Sequence, residues 1–284
     1  MNKCLIKDLD FAKDYLSLND NQLCNILDIS RSSLNSLRKN ENEISSIQYE
    51  RIYSFLYSKG IKINNLKSQI YKDSENKNQT ILFHGAKKEI VGKIDLKHSK
   101  DGNDFGKGFY LGTDLNQAAT FVCGSNSSSV YICEYRNNKD LKKKIYDVDE
   151  DWMLTIAYYR GRLTNYLGSK RLQRLIEDVK KSDILIAPIA DNNMYQIIDD
   201  FIKGNITNLQ CINSLSASDL GKQYVFLTSK AINNLTIKER CYMCDDERKY
   251  YENIKKENNE SGRQKVKYIM REYAGKGKYI EELL

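Results

Sequence analysis

The sequence predicts an α+β protein in which an N-terminal all-α domain precedes a domain built on a mixed, largely antiparallel β-sheet with flanking helices. Three observations predict this: helical spacing of apolar residues at the start, a polar stretch without periodicity after it, and short β-type runs with helices between them further on. Strands and helices do not alternate with crossover regularity, which favours antiparallel pairing. We expect four segments, 1–63, 64–80, 81–244 and 245–284.

The composition excludes several classes of protein. A chain of 284 residues is long enough for about two domains, and 20 Tyr and 8 Phe are too many for a disordered chain. The longest apolar run, 184–190, is far shorter than the ~20 residues that cross a bilayer, so we expect a soluble, cytoplasmic protein without a membrane partner. Seven Cys fit reduced thiols, and two His exclude a His-rich metal site, so no metal is expected.

The first segment, 1–63, has the pattern of a helix-turn-helix. Asp20 is the expected cap of a short helix, and after a tight turn Ser30 is the expected cap of a second one. A further helix is expected to start at Ser45 or Ser46. Two short helices joined by a turn of three or four residues are similar to the helix-turn-helix of phage-repressor-like regulators.

The helix-turn-helix resemblance implies that the second helix presents Arg31, Arg38 and Lys39 to a DNA groove. Residues 1–60 contain as many acidic as basic side chains, so the segment lacks the cationic excess that phosphate binding requires. A helical module that binds a partner protein, or a second copy of the chain, stays open as the alternative.

The segment 64–80 is polar and without periodicity, and we interpret it as a linker or exposed loop. In the next segment, strands are predicted at 81–83, 108–111, 129–135, 184–189 and 224–227. Helices are predicted at 116–123 behind an Asp114 cap, from 152 to 163 behind Asp149 or Glu150, and at 172–179 and 195–202.

The last segment, 245–284, mixes charges densely with apolar residues at helical spacing. Two amphipathic helices separated near 258–262 are expected, packed on the sheet domain or on a partner subunit. Upstream of them, the Cys241-x-x-Cys244 pair lacks the second pair or nearby His that a zinc site needs, so we interpret both as ordinary thiols.

Three segments carry a more specific pattern: 82–85 (Leu-Phe-His-Gly), 105–111 (Phe-Gly-Lys-Gly-Phe-Tyr-Leu) and 223–226 (Gln-Tyr-Val-Phe). In this order they resemble the NAD-binding signature of ADP-ribosyltransferases of the diphtheria-toxin and poly(ADP-ribose)-polymerase type. The chain is still more similar to a bacterial family of uncharacterised domains in that superfamily. That family has an Asp-Phe-Gly-Lys-Gly-Phe-Tyr block and a later Pro-Ile-Ala-Asp block, here 188–191, often behind a helix-turn-helix. The resemblance covers about 80–240.

The resemblance implies that NAD is the substrate. His84 would hydrogen-bond the adenosine ribose, and the backbone of Gly85 would approach the nicotinamide carboxamide. Gly108, without a Cβ, would let the backbone come close to the ligand. Tyr110 and Phe121 would sandwich the cationic nicotinamide ring, combining stacking with cation–π attraction.

Gln223 is the departure from this signature, because the best-known members have Glu at the start of that strand. Gln can bind a ribose hydroxyl but carries no charge, which makes transfer of a single ADP-ribose unit the better expectation than chain elongation. Asp104 and Asp191 are the candidate acids or bases that could compensate. Arg160 could pair with the pyrophosphate, although a surface salt bridge is the more common role of such an Arg.

Two functions follow as hypotheses. The first is an NAD-dependent mono-ADP-ribosyltransferase that modifies a macromolecular acceptor, either protein or nucleic acid, as a bacterial toxin or anti-phage defence effector with an antitoxin among its partners. The alternative is a DNA-binding regulator whose middle domain senses NAD or a related nucleotide without catalysis.

Overall fold

A computed structural model describes residues 5–39, 45–126, 128–190, 195–217 and 221–284. Over these residues the chain is an α+β protein: a helical N-terminal part precedes a seven-stranded mixed sheet with flanking helices, as predicted. Among the helices described, we find none whose length and apolar content would let it cross a membrane.

The described residues form twelve α-helices: α1 (Leu5–Tyr15), α2 (Asp20–Leu27), α3 (Arg31–Lys39), α4 (Ser46–Ser58), α5 (Ile63–Asp73), α6 (Leu115–Val122), α7 (Glu150–Tyr159), α8 (Lys170–Lys180), α9 (Tyr195–Ile202), α10 (Asn208–Leu215), α11 (Ser229–Ile232) and α12 (Asp245–Glu272). The strands are β1 (Gln79–Ala86), β2 (Phe109–Gly112), β3 (Ser129–Arg136), β4 (Lys143–Ile145), β5 (Ile184–Pro188), β6 (Lys222–Phe226) and β7 (Leu235–Tyr242). The five predicted strands and four predicted helices of the sheet domain are confirmed within a few residues.

The strand order is β4-β5-β6-β2-β1-β3-β7, in which β4 and β5 are parallel and all other neighbours antiparallel. The two edge strands, β4 and β7, are the ones the sequence did not predict. β4 contains Lys143 and Lys144, the last two residues of a run of three Lys, and β7 contains Lys238, Glu239 and Arg240 in succession. Edge strands face water on more sides than central ones, so their sequences lack a clean apolar alternation.

The predicted helix-turn-helix arrangement is present as α2, a three-residue turn and α3. Ser30 caps α3 as predicted, since its Oγ accepts a hydrogen bond from the Ser33 N–H at 3.0 Å. The prediction that Asp20 caps α2 is wrong: the cap is Asn19, whose side chain accepts from the Gln22 N–H while Gln22 accepts from the Asn19 N–H. Asn19 has the extended backbone of a cap, whereas Asp20 is already helical.

Much of the segment 64–80, expected to be a linker or loop, is helical. Its first part forms α5, and Asn64 and Lys67 on that helix are buried. The Asn64 amide donates to the Tyr242 carbonyl at 2.8 Å, which ties α5 to the sheet. The inward face of α5 includes polar side chains that are buried against specific partners. It therefore lacks the apolar periodicity from which a helix is predicted.

The expected break near 258–262 is absent, and α12 is one continuous helix of 28 residues. Gly262 is buried inside it, and a single Gly costs a helix only about 1 kcal/mol, which tertiary packing offsets. The helix contacts α6, where the Tyr251 hydroxyl donates to Asn116 Oδ1 at 3.2 Å, and α10, where Gln210 donates to the Met270 carbonyl at 2.9 Å. The last segment therefore packs on the sheet domain.

Glu247 on α12 makes stability depend on pH. Its carboxylate is 5% exposed and accepts from the Asn64 amide at 2.9 Å. Burial raises the pKa of Glu247 to about 7, although Asn64 lowers it in part. An unfolded Glu titrates near ~4.3, so between these values the folded state holds a proton that the unfolded state has lost. The free energy of unfolding therefore falls as pH rises from ~4.3 to about 7.

We expect Glu247→Gln to remove a pH slope on the order of 1 kcal/mol per pH unit across that window. Urea unfolding of both proteins at several pH values between ~4.5 and 7 measures it. Glu257→Gln, at an exposed position of the same helix, is the control and should keep the wild-type slope. Equal slopes in wild type and Glu247→Gln would contradict the prediction.

Candidate active site

The three segments singled out in the sequence lie on neighbouring strands at the centre of the sheet. His84 and Gly85 belong to β1, Tyr110 to β2 and Gln223 to β6. Gly112 lies opposite Phe83 on one side and opposite Gln223 on the other. Side chains alternate along a strand, so Tyr110, two positions before Gly112, points to the same face of the sheet as Gln223. The helix α6 packs on this face.

The centre of the site is a buried polar network. The Gln223 amide donates from Nε2 to Asp104 Oδ2 at 3.1 Å, across 119 positions of sequence. The other Asp104 oxygen, Oδ1, accepts from Arg160 Nε at 3.0 Å and also from Arg160 Nη2. The Asp104 side chain is 14% exposed and that of Arg160 is 2% exposed. A carboxylate and a guanidinium thus form a buried ion pair directly beside Gln223.

The orientation of the Gln223 amide follows from its acceptors. Its Nε2 also donates to the Pro188 carbonyl at 3.2 Å, and the same carbonyl accepts from Trp152 Nε1 at 3.2 Å. Two acceptors use both N–H groups of the amide. A ligand hydroxyl reaching this residue would therefore have to donate to Oε1. Pro188 is the first residue of the Pro-Ile-Ala-Asp block at 188–191.

Tyr110 holds the turn that carries Asp104. Its hydroxyl donates to the Gly106 carbonyl at 2.7 Å and accepts from the Phe105 N–H at 3.1 Å. Burial raises the pKa of Tyr110, so the phenol stays protonated. Gly106 has a φ of 74°, and a Cβ there would lie 2.9 Å from the Tyr159 ring, so this turn requires glycine. Tyr110 thus fixes the loop geometry in addition to the stacking role that the resemblance implies.

The His84 side chain lies on the opposite face of the sheet from the Tyr110 side chain. It contacts the backbone of Tyr110. The His84 Nδ1 is 2.7 Å from the Tyr110 carbonyl, so Nδ1 carries the hydrogen. Burial lowers the pKa of His84, which favours the neutral ring with Nε2 as an acceptor. The ring stacks on Phe109 with centroids 4.2 Å apart. Phe109 was missed as a site residue, because its apolar side chain is indistinguishable in sequence from core.

Packing of the protein itself requires glycine at Gly85 and Gly108. A Cβ on Gly85 would collide with the Ala118 carbonyl oxygen of α6, and one on Gly108 would lie 2.6 Å from Val225 Cγ1. Both positions therefore require glycine so that a helix and a neighbouring strand can approach closely. The approach of the Gly85 and Gly108 backbones to a ligand stays a prediction.

Phe121 projects from α6 and is 61% exposed. It lies one helical turn after Gln117, whose side chain fills the space beside Gly112 and Gly221. The Phe121 ring therefore projects from the side of α6 that faces the end of β2 and the start of β6. The sandwich of a nicotinamide ring between Tyr110 and Phe121 stays a prediction.

The structure does not place every predicted site residue. Asp191 lies outside the described residues. On the helix-turn-helix, Arg31 and Lys39 are exposed, but Arg38 donates to Asp10 at 2.8 Å and to Asp20 at 2.9 Å. These pairs hold the pKa of Asp20 well below its usual range and tie α3 to α1 and α2. Arg38 is therefore engaged inside the helical domain.

The residues described include no group of three or more His, Cys, Asp or Glu placed to hold a metal ion. Cys241 and Cys244 are buried free thiols. Burial raises the pKa of both, which favours the neutral thiol over the thiolate that binds metal.

Fold and site together define an α+β protein with a buried Gln–Asp–Arg network at the centre of a mixed sheet, joined to a helical N-terminal domain. The chain belongs to the family described as protein of unknown function (DUF3990), whose model matches residues 80–237. This range contains all three members of the network. Comparisons with curated proteins and with solved structures found no match.

Proposed function

We propose that this chain is an NAD-dependent mono-ADP-ribosyltransferase. The observation that supports this most is the hydrogen bond between Gln223 and the Asp104 carboxylate. The signature that the chain resembles has Glu where this sequence has Gln223, and the missing negative charge is supplied here from the loop before β2. Asp104, one of the two acids considered from the sequence, would therefore be the compensating group.

The proposed reaction needs charge stabilisation more than proton transfer. The bond between nicotinamide and its ribose breaks with its electron pair leaving on nicotinamide, and the ribose becomes cationic at the reacting carbon. A nucleophile of the acceptor then forms the new bond to that carbon and loses its proton to water. A fixed carboxylate stabilises the developing positive charge. Arg160 would act as a positioning residue, since it holds Asp104 rather than the pyrophosphate.

The remaining residues would bind NAD. The Gln223 Oε1 would accept a hydrogen bond from a ribose hydroxyl, and His84 would bind the adenosine ribose through Nε2. Tyr110 and the exposed Phe121 would contact the nicotinamide, with Phe121 moving onto the ring as it binds. The Gly85 backbone would bind the carboxamide. NAD is consumed as a substrate, and the reaction we propose uses no metal.

The acceptor would be a macromolecule, either a protein or a nucleic acid. A role as a bacterial toxin or anti-phage defence effector, acting in the cytoplasm and restrained by an antitoxin, rests on the family resemblance alone. Release of nicotinamide from NAD does not depend on this role.

A DNA-binding regulator that senses a nucleotide is the second candidate. The observation that favours it is the α2–turn–α3 geometry with Arg31 and Lys39 exposed. It predicts salt-sensitive binding to a specific duplex, lost in Arg31→Ala with Lys39→Ala. Arg38→Ala cannot serve as the test, because that change also removes ion pairs within the domain. Gel shifts without any duplex binding would remove this candidate.

The test of the first candidate uses NAD labelled on the adenine and, separately, on the nicotinamide. We expect release of nicotinamide together with adenine label on protein or nucleic acid when the purified chain is incubated with a fractionated lysate. His84→Ala and Tyr110→Ala should each lower NAD affinity about 5- to 30-fold, because each removes a binding contact of about 1 to 2 kcal/mol. Tyr15→Ala, at an exposed tyrosine of α1, is the control. No nicotinamide release with any fraction, and unchanged NAD binding in both variants, would refute the proposal.

A further inference from the structure

The C-terminal half of α12 and the loop after it carry positive charge that the proposed reaction does not use. Between 263 and 278, six of sixteen residues are Lys or Arg and only Glu272 is acidic. The six cations are Arg263, Lys265, Lys267, Arg271, Lys276 and Lys278. All six are exposed, and none of them forms an ion pair with another described residue.

Three of these cations form a line along the helix, which we call the basic ridge: Arg263, Lys267 and Arg271. They follow each other at intervals of four residues, one turn and about 6 Å of axial rise apart. On the adjoining flank of the helix, Val266 and Met270 are partly buried and pack on the core of the sheet domain. The ridge therefore lies on a helix that packs on the sheet domain, and its charges face water.

Two exposed tyrosines each follow one of these cations directly in the sequence. Tyr268 follows Lys267 and is 66% exposed, and Tyr279 follows Lys278 and is 41% exposed. Such rings offer flat faces on which unpaired bases stack. The helix dipole accounts for one or two cations in the last turn, but not for six cations over sixteen positions together with exposed rings.

The surroundings argue against a membrane as the partner. An interfacial helix inserts its apolar face among lipids, whereas the apolar face of α12 is covered by the sheet domain. An acidic protein would match the charge but would leave the two rings without a specific role. Single-stranded nucleic acid matches both, since phosphates meet the cations and bases meet the rings.

We propose that this surface, the basic ridge with Tyr268 and Tyr279, binds single-stranded nucleic acid. The ridge would contact successive phosphates, and the tyrosines would stack on bases. This surface is separate from the Gln223 network and does not depend on NAD chemistry, so the two proposals stand or fall independently.

The experiment measures fluorescence anisotropy of labelled DNA and RNA single strands of roughly 20 nucleotides, and of the matching duplex, with the full-length chain. Three phosphate contacts should contribute about −2 to the slope of log affinity against log salt. The ridge variant combines Arg263→Gln, Lys267→Gln and Arg271→Gln. A control with the same net charge combines Lys170→Gln, Lys180→Gln and Lys203→Gln, at exposed positions of other elements.

We expect the ridge variant to lose at least tenfold in affinity and most of the salt slope, while the control stays within twofold of wild type. Tyr268→Ala should lose at least fivefold on single strands and little on the duplex. The comparison of DNA with RNA identifies the preferred strand. Equal losses in ridge and control variants, binding of the duplex alone, or binding only to anionic vesicles or an acidic protein would overturn the proposal.

Discussion

Asp104→Asn is expected to lower nicotinamide release from NAD by 10²–10³-fold, the effect of removing one preorganised charge-stabilising group. The substitution keeps the shape of the side chain and an oxygen for Arg160, but it removes the negative charge that Gln223 cannot supply. If the carboxylate stabilises the transition state, the loss falls on kcat, and NAD affinity changes little. Rapid-quench measurement of nicotinamide release at saturating NAD measures it.

The matched control lies in the same loop. Asp101 is 86% exposed and pairs with Lys107 at 3.3 Å, so Asp101→Asn removes an equal charge without touching the network. It should retain wild-type activity, because exposed pairs contribute at most about 1 kcal/mol. Equal losses in the two variants would show that general electrostatics, and not the Asp104 position, sets the rate.

Folding has to be separated from chemistry, since Asp104→Asn removes a buried negative charge that pairs with the Arg160 guanidinium. Breaking a buried pair on one side costs about 3–5 kcal/mol, whereas removing both charges costs less. The double variant Asp104→Asn, Arg160→Gln should therefore regain thermal stability over the single variant and stay inactive. A double variant that recovers activity would contradict a catalytic role for the Asp104 charge.

The centre of the sheet could be predicted from the sequence because its strands are apolar or alternate, as in 129–135, and because turn residues bound them. The helix α5 could not, because the side chains it buries include Asn64 and Lys67. A polar residue buried on a specific partner has the same sequence signal as one in a loop. The edge strand β7 was not predicted for a related reason, since three consecutive charged residues interrupt its apolar pattern.

The site was predicted as a set of residues, not as a network. The motif order placed Tyr110 and Gln223 on strands of one sheet, which the structure confirms. The bond from Gln223 to Asp104 depends on the pairing of β6 with β2 and on the turn that Tyr110 holds. Neither is visible in one sequence. For the same reason the sequence offered Arg160 only a surface salt bridge or the pyrophosphate, since its partner Asp104 lies 56 positions away.

Lys67→Met should destabilise the whole chain by about 3–5 kcal/mol, because it leaves two buried carboxylates without their counter-charge. The Lys67 ammonium pairs with Asp8 of α1 and, at 2.8 Å, with Glu239 of β7. Burial by itself lowers the pKa of Lys67, but the surrounding anionic groups outweigh burial and raise it. The Tyr53 hydroxyl of α4 donates to the same Asp8 carboxylate at 2.6 Å.

This one cation therefore connects the helical domain to the edge of the sheet, and its loss should uncouple the two. Urea unfolding of Lys67→Met is expected to show a transition of the helical domain at lower urea than in wild type. Lys72→Met on the same helix, whose pair with Glu75 is partly exposed, should cost less than about 1 kcal/mol. Adding Asp8→Asn to Lys67→Met should restore part of the loss, because one unpaired charge then replaces two. A single cooperative transition with wild-type midpoint in Lys67→Met would show that the two domains are held together by apolar packing instead.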